Sequence, residues 1–205
     1  MSRDQKSRHI TPMSISGGYR IDPVPIPDAR GSFFELVRTS ELQTASEWEL
    51  GVRQVNFSRS RRDTVRGIHG TAVPPGQAKL VTCVRGAAID IAIDIRVGSP
   101  TFGQFEVTRQ VAQDGTAVYL PDGLGHAFQA LTDDTVMCYL CSTEYVPGTM
   151  IELDALDKEL GLPWELGGPA IRSNKDAAAP TLKQAAAAGI LPTYAQCPPR
   201  PTNPT

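Results

Sequence analysis

No apolar run in this 205-residue sequence approaches the ~20 residues that a membrane-crossing helix needs, so a bilayer span is not expected. Charge of one sign is also missing: 20 Lys and Arg stand interspersed among 22 Asp and Glu, for a net charge of -2. Without a basic stripe, binding to a nucleic-acid backbone is not expected. The first ten residues are polar and hold no apolar h-region, so no secretory signal is expected and the protein is read as cytoplasmic. Cysteine is scarce. Cys138 and Cys141 form a Cys-x-x-Cys, but no second such pair is available to complete a zinc site. They lie in Val136–Cys141, a strand-like run in which residues three apart face opposite ways. With Cys83 and Cys197 they are expected to be reduced, structural thiols. No repeat of solenoid type is found.

What is present is an ordinary globular balance of 40% apolar and 20% charged residues. The length suits one sizeable core, expected as a single domain over residues 1–195 followed by a disordered proline-rich tail over 196–205. The clearest pattern is an alternation in which Ile89, Ile91, Ile93 and Ile95 share one face and Asp90, Ala92, Asp94 and Arg96 the other. A period of two with β-branched residues predicts a strand with one apolar and one polar side. The run 66–96 is expected to be a hairpin core joined at Arg85-Gly86. Val52–Ser58 alternates too, with Val55 and Phe57 facing one way and Gln54 and Asn56 the other. Further strands are expected near 19–24, 32–37, 105–111, 117–120 and 136–141, after a polar tail over 1–17. Ser40 is a plausible N-cap for a short helix over 41–45. Helices are expected over 154–160, ended by Gly161, and over 182–188, between Thr181 and Gly189. Short strands at close spacing with polar turns predict a mainly β fold, a sandwich or barrel, with short C-terminal helices.

Only three histidines could carry acid–base chemistry. His9 sits in the expected tail; His69 and His126 lie in glycine-bracketed positions. Pro121-x-Gly123-x-x-His126 resembles the second motif of the cupin superfamily, which implies a jelly roll, or double-stranded β-helix. Many cupins hold a metal through a His-x-His and a Glu in the first motif. Here Gly70 and Thr71 follow His69, and prolines stand where the Glu should come. At most two ligands remain, so no metal is expected.

The chain further resembles the dTDP-4-keto-6-deoxysugar epimerases, the dTDP-4-dehydrorhamnose 3,5-epimerase family, over about residues 15–195. The resemblance is carried by eight stretches in order: Asp28–Glu35, Arg53–Ser58, Val65–His69, Pro74–Lys79, Asp94–Gly103, Leu124–Phe128, Tyr139–Tyr145 and Ser173–Asp176. It implies a cofactor-independent epimerase that removes and returns a proton at C3, C5 or both, next to the C4 ketone of a dTDP-4-keto-6-deoxyhexose in deoxysugar and antibiotic biosynthesis. Such chemistry needs a base, an acid on the opposite face and a positive group for the enolate oxygen.

By resemblance His69 is the base, Asp176 its carboxylate partner, Tyr139 the proton donor and Lys79 the group that polarises C4. Read from the residues alone, Tyr139 can equally be a strand tyrosine packing the barrel, and Lys79 an ordinary strand-start lysine. Arg30 and Arg66 are matched to the diphosphate, Phe33 and Glu35 to thymine, and Gln54 and Asn56 to the ligand. His126 is matched to the sugar–phosphate end, Tyr145 to the pocket lining, and Lys175 is grouped with the substrate-binding residues. The family usually has an aromatic residue after Arg-Gly-x-His. Gly70 in its place is expected to open space beside the base and alter the substrate or the balance between C3 and C5. Family members are usually homodimers with exchanged strands, which is the partner expected here. A metal-dependent cupin enzyme and a non-catalytic nucleotide-sugar-binding jelly roll are the alternatives.

Overall fold

A computed structural model describes residues 9–47 and 49–197. The chain opens with β1 (His9–Pro12), β2 (Tyr19–Asp22), the short pair β3 (Ile26–Asp28) and β4 (Gly31–Phe33), and helix α1 (Thr39–Ser46). Nine strands follow: β5 (Gln54–Ser60), β6 (Val65–Thr71), β7 (Lys79–Arg85), β8 (Ala87–Asp94), β9 (Phe105–Val111), β10 (Ala117–Leu120), β11 (Leu124–Ala130), β12 (Thr135–Cys141) and β13 (Met150–Glu152). Helices α2 (Asn174–Ala177) and α3 (Leu182–Ala187) and a final 3-10 turn at Tyr194–Gln196 complete it.

The strands form a six-stranded sheet in the order β1-β2-β10-β7-β12-β5 and a five-stranded sheet in the order β13-β6-β11-β8-β9, all antiparallel. From β5 to β13 the chain passes repeatedly from one sheet to the other, and only β8 and β9 are consecutive and paired. This is the expected mainly β jelly roll. The expected hairpin at Arg85-Gly86 is not formed, because β7 and β8 belong to different sheets. Gly86 is the corner between them. Its φ is +78°, and a Cβ there would lie 2.2 Å from the Thr132 hydroxyl, so the corner demands glycine on two counts.

The alternation of β8 is real, but its polarity has another meaning. Ile89, Ile91, Ile93 and Ile95 point away from the opposite sheet and are sealed by Leu153, Ala155, Leu162, Leu182, Ala185 and Leu191 of the C-terminal third. Ala88 and Ala92 point between the sheets, among Val81, Val118, Leu120 and Phe128. Asp90, Asp94 and Arg96 are just as buried, so the polar face is not solvated. Asp94 binds Arg96 through both carboxyl oxygens, at 2.9 and 2.7 Å, and accepts from Ser99 and Thr101. Arg96 donates to the Ser16 carbonyl and lies over the Tyr194 ring. On the outer face of the other sheet, Leu80 and Tyr119 pack against Leu42 of α1 and Leu50.

Several local expectations change. His9–Pro12, expected in the tail, pairs with β2. Ser40 lies inside α1, and the N-cap is Arg38, whose side chain ion-pairs with Glu35 and Glu41. Residues 154–160 form turns and no helix, because Asp154 and Asp157 accept from the backbone N–H groups of Leu156 and Glu159. Such local bonds compete directly with helical pairing. The α3 helix begins after Thr181 as expected, and Thr181 forms a capping box with Gln184. Of the expected tail, Gln196 ends the 3-10 turn and Cys197 is buried, while 198–205 lie outside the described residues. All four cysteines are free and buried. Among the described residues no helix is long and apolar enough to cross a membrane.

Gly70 requires a correction. Successive strand residues face opposite ways, so Gly70 points to the isoleucine side and not beside His69. A Cβ there would lie 2.6 Å from Ile95 Cδ1. Gly70→Tyr is therefore expected to overpack the core and cost about 1–3 kcal/mol, read as a lowered denaturation midpoint. An unchanged midpoint would show that Gly70 is not packed against Ile95.

Candidate active site

At one end of the sandwich the two sheets enclose a cavity of about 310 Å³. The five-stranded sheet contributes Arg66 and His69 from β6 and His126 and Phe128 from β11. The six-stranded sheet contributes Gln54, Asn56 and Ser58 from β5, Lys79 from β7, and Tyr139 and Cys141 from β12. Gln77, Tyr145 and Met150 close the rim.

His69 and His126 are register partners across β6 and β11. Gly67 makes that pairing possible: its φ is +104°, and a Cβ would come within 2.5 Å of the His126 carbonyl oxygen. Each histidine meets its own carboxylate. His69 Nε2 lies 2.7 Å from Asp176 Oδ1, bridging 107 residues, and His126 Nε2 lies 2.7 Å from Asp90 Oδ2. Asp176 is fixed locally as well. Ser173, the N-cap of α2, donates its hydroxyl to Asp176 Oδ2 and accepts from the Asp176 N–H. The His69 side chain is 34% exposed and that of Asp176 only 7%, so the imidazole reaches the cavity while its partner stays behind it. Burial raises the Asp176 carboxyl, but hydrogen bonds from His69 and Ser173 outweigh it and hold the group below the usual carboxylate range.

Tyr139 stands on the opposite wall. Its ring meets His126 edge-on at 5.9 Å, and its hydroxyl lies 3.1 Å from Ser58 Oγ. Burial pushes the phenol well up, so it keeps its proton across the neutral range. Burial pushes the Lys79 ammonium down, partly offset by the neighbouring Cys141 thiol.

The cavity thus brings together His69, Tyr139, Lys79, Gln54, Asn56, Arg66, His126 and Tyr145, with Asp176 behind His69. It does not bring in Arg30, Phe33, Glu35 or Lys175. Arg30 pairs with Asp28, and Glu35 with Arg38; both lie with Phe33 in the exposed segment of β3 and β4, which pair only with each other. Lys175 turns outward to ion-pair with Glu152. Sequence reasoning passed over Ser58, Phe128 and Cys141, although each lies two residues along a strand from an identified residue and so shares its face. Asp90 was passed over because its strand face was read only as the polar side, with no partner assigned to it.

The family model described as dTDP-4-dehydrorhamnose 3,5-epimerase matches residues 12–184. A dTDP-4-dehydro-6-deoxyglucose 3-epimerase from Streptomyces bikiniensis is 45% identical over 183 residues, covering 89% of this chain and 93% of the relative. A dTDP-4-dehydrorhamnose 3,5-epimerase from Mycolicibacterium smegmatis is 45% identical over 185 residues, covering 90% and 91%. Among crystal structures, NovW, a 4-keto-6-deoxy sugar epimerase from the novobiocin gene cluster of Streptomyces spheroides, superposes with a TM-score of 0.91 at 42% identity, covering 97% of this chain and 99% of its own. ChmJ, a 3'-monoepimerase from S. bikiniensis in complex with dTDP-quinovose, gives 0.87 at 44% identity, covering 91% and 94%.

The lowered Asp176 carboxyl has a consequence for stability. A carboxylate whose folded pKa is depressed contributes stability above its unfolded pKa of ~3.9 and loses it as pH falls through the folded value. The stability difference between the wild type and Asp176→Asn is therefore expected to shrink as pH drops below about 4. Acid unfolding followed by tryptophan fluorescence checks this, and a difference that stays constant would contradict the assigned hydrogen bonds.

Proposed function

The chain belongs to the dTDP-4-dehydrorhamnose 3,5-epimerase family, and from that premise we propose that His69 and Tyr139 invert a carbon next to the C4 ketone of a dTDP-4-keto-6-deoxyhexose. The protein is a dTDP-sugar 3- or 3,5-epimerase, an isomerase. C3 is the carbon common to both kinds of relative, so inversion at C3 is the step proposed here in either case.

One observation carries the reading. His69 belongs to the five-stranded sheet and Tyr139 to the six-stranded sheet, and both line one cavity. A sugar held between them meets a base on one face and an acid on the other, which inversion requires. With Asp176 on Nε2, the His69 proton is held there and Nδ1 is left as the basic nitrogen. Nδ1 takes the C3 proton, which the C4 ketone has acidified, and Asp176 stabilises the imidazolium. The C3–H electrons pass into the enolate, whose oxygen Lys79 stabilises. An ammonium whose proton is loosened by burial suits that task. Tyr139 then gives its proton to C3 from the opposite face, and the carbonyl re-forms.

Arg66 is proposed to meet the diphosphate and His126 the sugar–phosphate end, with Gln54 and Asn56 reaching the ligand from the same cavity. Arg30, Phe33 and Glu35 are proposed to reach the cavity of a second copy. Ile26 and Phe33, register partners in β3 and β4, are 62% and 64% exposed, and edge strand β5 exposes Val55 and Phe57 beside the cavity. This much exposed apolar surface fits a homodimer in which each protomer lends its β3–β4 segment to its partner's nucleotide site.

Incubation with dTDP-4-keto-6-deoxyglucose in heavy water, read by NMR, tests the chemistry. Deuterium is expected at C3 of the inverted product. His69→Asn is expected to abolish exchange while dTDP still binds, and normal exchange in that variant would remove the assigned base. Subunit mixing tests the dimer. His69→Asn and an Arg30→Ala/Phe33→Ala double variant, each inactive alone, are expected to recover about a quarter of wild-type activity when exchanged, because each hybrid regains one intact site. No recovery would place the segment's function within its own subunit.

A further inference from the structure

We propose that Ser58 is a positioning residue for Tyr139: its hydroxyl donates to the phenol oxygen, leaving the phenolic proton free for the sugar and stabilising the phenolate left after transfer. This rests on the reading of Tyr139 as the acid. Ser58 Oγ, 3.1 Å from the Tyr139 hydroxyl, makes the one hydrogen bond to that hydroxyl among the described residues. The ring itself is held edge-on against His126, but that contact does not set the direction of the O–H. Ser58 faces the cavity from β5, two residues beyond Asn56, which is the register partner of Tyr139.

The direction of the bond matters. A phenol that donates to Ser58 has its only proton turned away from the substrate. When Ser58 donates instead, that proton is free to reach the enolate carbon. During transfer the phenol O–H bond breaks, the enolate electron pair forms the new C–H bond, and the C4 carbonyl re-forms. Ser58 keeps its own proton, and the phenolate is later reprotonated from water. A hydrogen bond to a charged oxygen is shorter and stronger than one to a neutral oxygen. The Ser58 contact therefore strengthens as charge develops on Tyr139, and such an interaction raises turnover more than binding.

Ser58→Ala, Ser58→Thr and Tyr139→Phe, compared on dTDP-4-keto-6-deoxyglucose in heavy water, test the proposal. For Ser58→Ala, kcat for inversion is expected to fall about tenfold to a hundredfold, with KM within about twofold. Deuterium should still enter the uninverted substrate, because the His69 half-reaction is intact. Ser58→Thr, which keeps the hydroxyl, should regain most of the loss. The proposal is overturned if Ser58→Ala inverts at the wild-type rate, if exchange and inversion fall together by one factor, or if Ser58→Thr is no better than Ser58→Ala. The Thr comparison still decides should the Ala variant fail to fold. Normal inversion by Tyr139→Phe is a separate failure: it removes the acid assignment itself.

Discussion

The geometry of the candidate site depends on one contact, the hydrogen bond from His69 on a central strand to Asp176 on a helix of the C-terminal third. That bond does not hold the two segments together. A hydrogen bond contributes about 0.5–1.5 kcal/mol net, whereas each large aliphatic side chain taken out of water contributes about 1.5–3 kcal/mol. The isoleucine face of β8, sealed by Leu153, Leu162, Leu182 and Leu191, brings the C-terminal third onto the sheet. Asp176 arrives as a passenger on that packing. The Ser173 cap then turns its carboxylate toward His69.

The same strand explains why the space between the sheets can be chemical as well as apolar. Isolated buried charges are costly, and they are tolerated when each is paired and hydrogen-bonded. Asp94 meets Arg96, Ser99 and Thr101, and Asp90 meets His126. The first group ties Ser16 and Tyr194 to one end of β8, and the second places an imidazole in the cavity wall. Ala92 separates them, and with Ala88 it leaves room for Phe128 and the facing sheet.

Much of this was legible in the sequence, and the misreadings have physical causes. Strand periodicity identified most of the strands, and it placed Gln54 and Asn56 on one face. It could not say which sheet the next strand joins, so Arg85-Gly86 read as a hairpin when it is a corner. Periodicity also shows that two faces differ without showing what covers them. Hence the polar side of β8 read simply as polar, and Asp90 was missed as the buried partner of His126. At Gly70 the same parity, applied to His69, would have pointed the glycine away from the imidazole. Turn chemistry at Asp154 and Asp157 overrode helix propensity through side-chain bonds that a pattern of apolar residues does not register. The pairing of His69 with Asp176 came only from family resemblance, since no local rule joins residues 107 apart. Arg30, Phe33 and Glu35 matched family motifs, yet a motif does not specify where the fold carries a side chain, and these three lie outside this chain's cavity.

The outer cover of the five-stranded sheet also bears on when the protein becomes competent. During synthesis the strands that form the cup emerge well before the segment bearing Asp176. Until that segment has left the ribosome and docked, the isoleucines lie bare and the imidazole has no partner to set its tautomer. On the proposed reading of His69, competence then coincides with the closing of the last apolar surface, so a nascent or clipped chain that still bares its isoleucines is also one whose imidazole lacks its carboxylate.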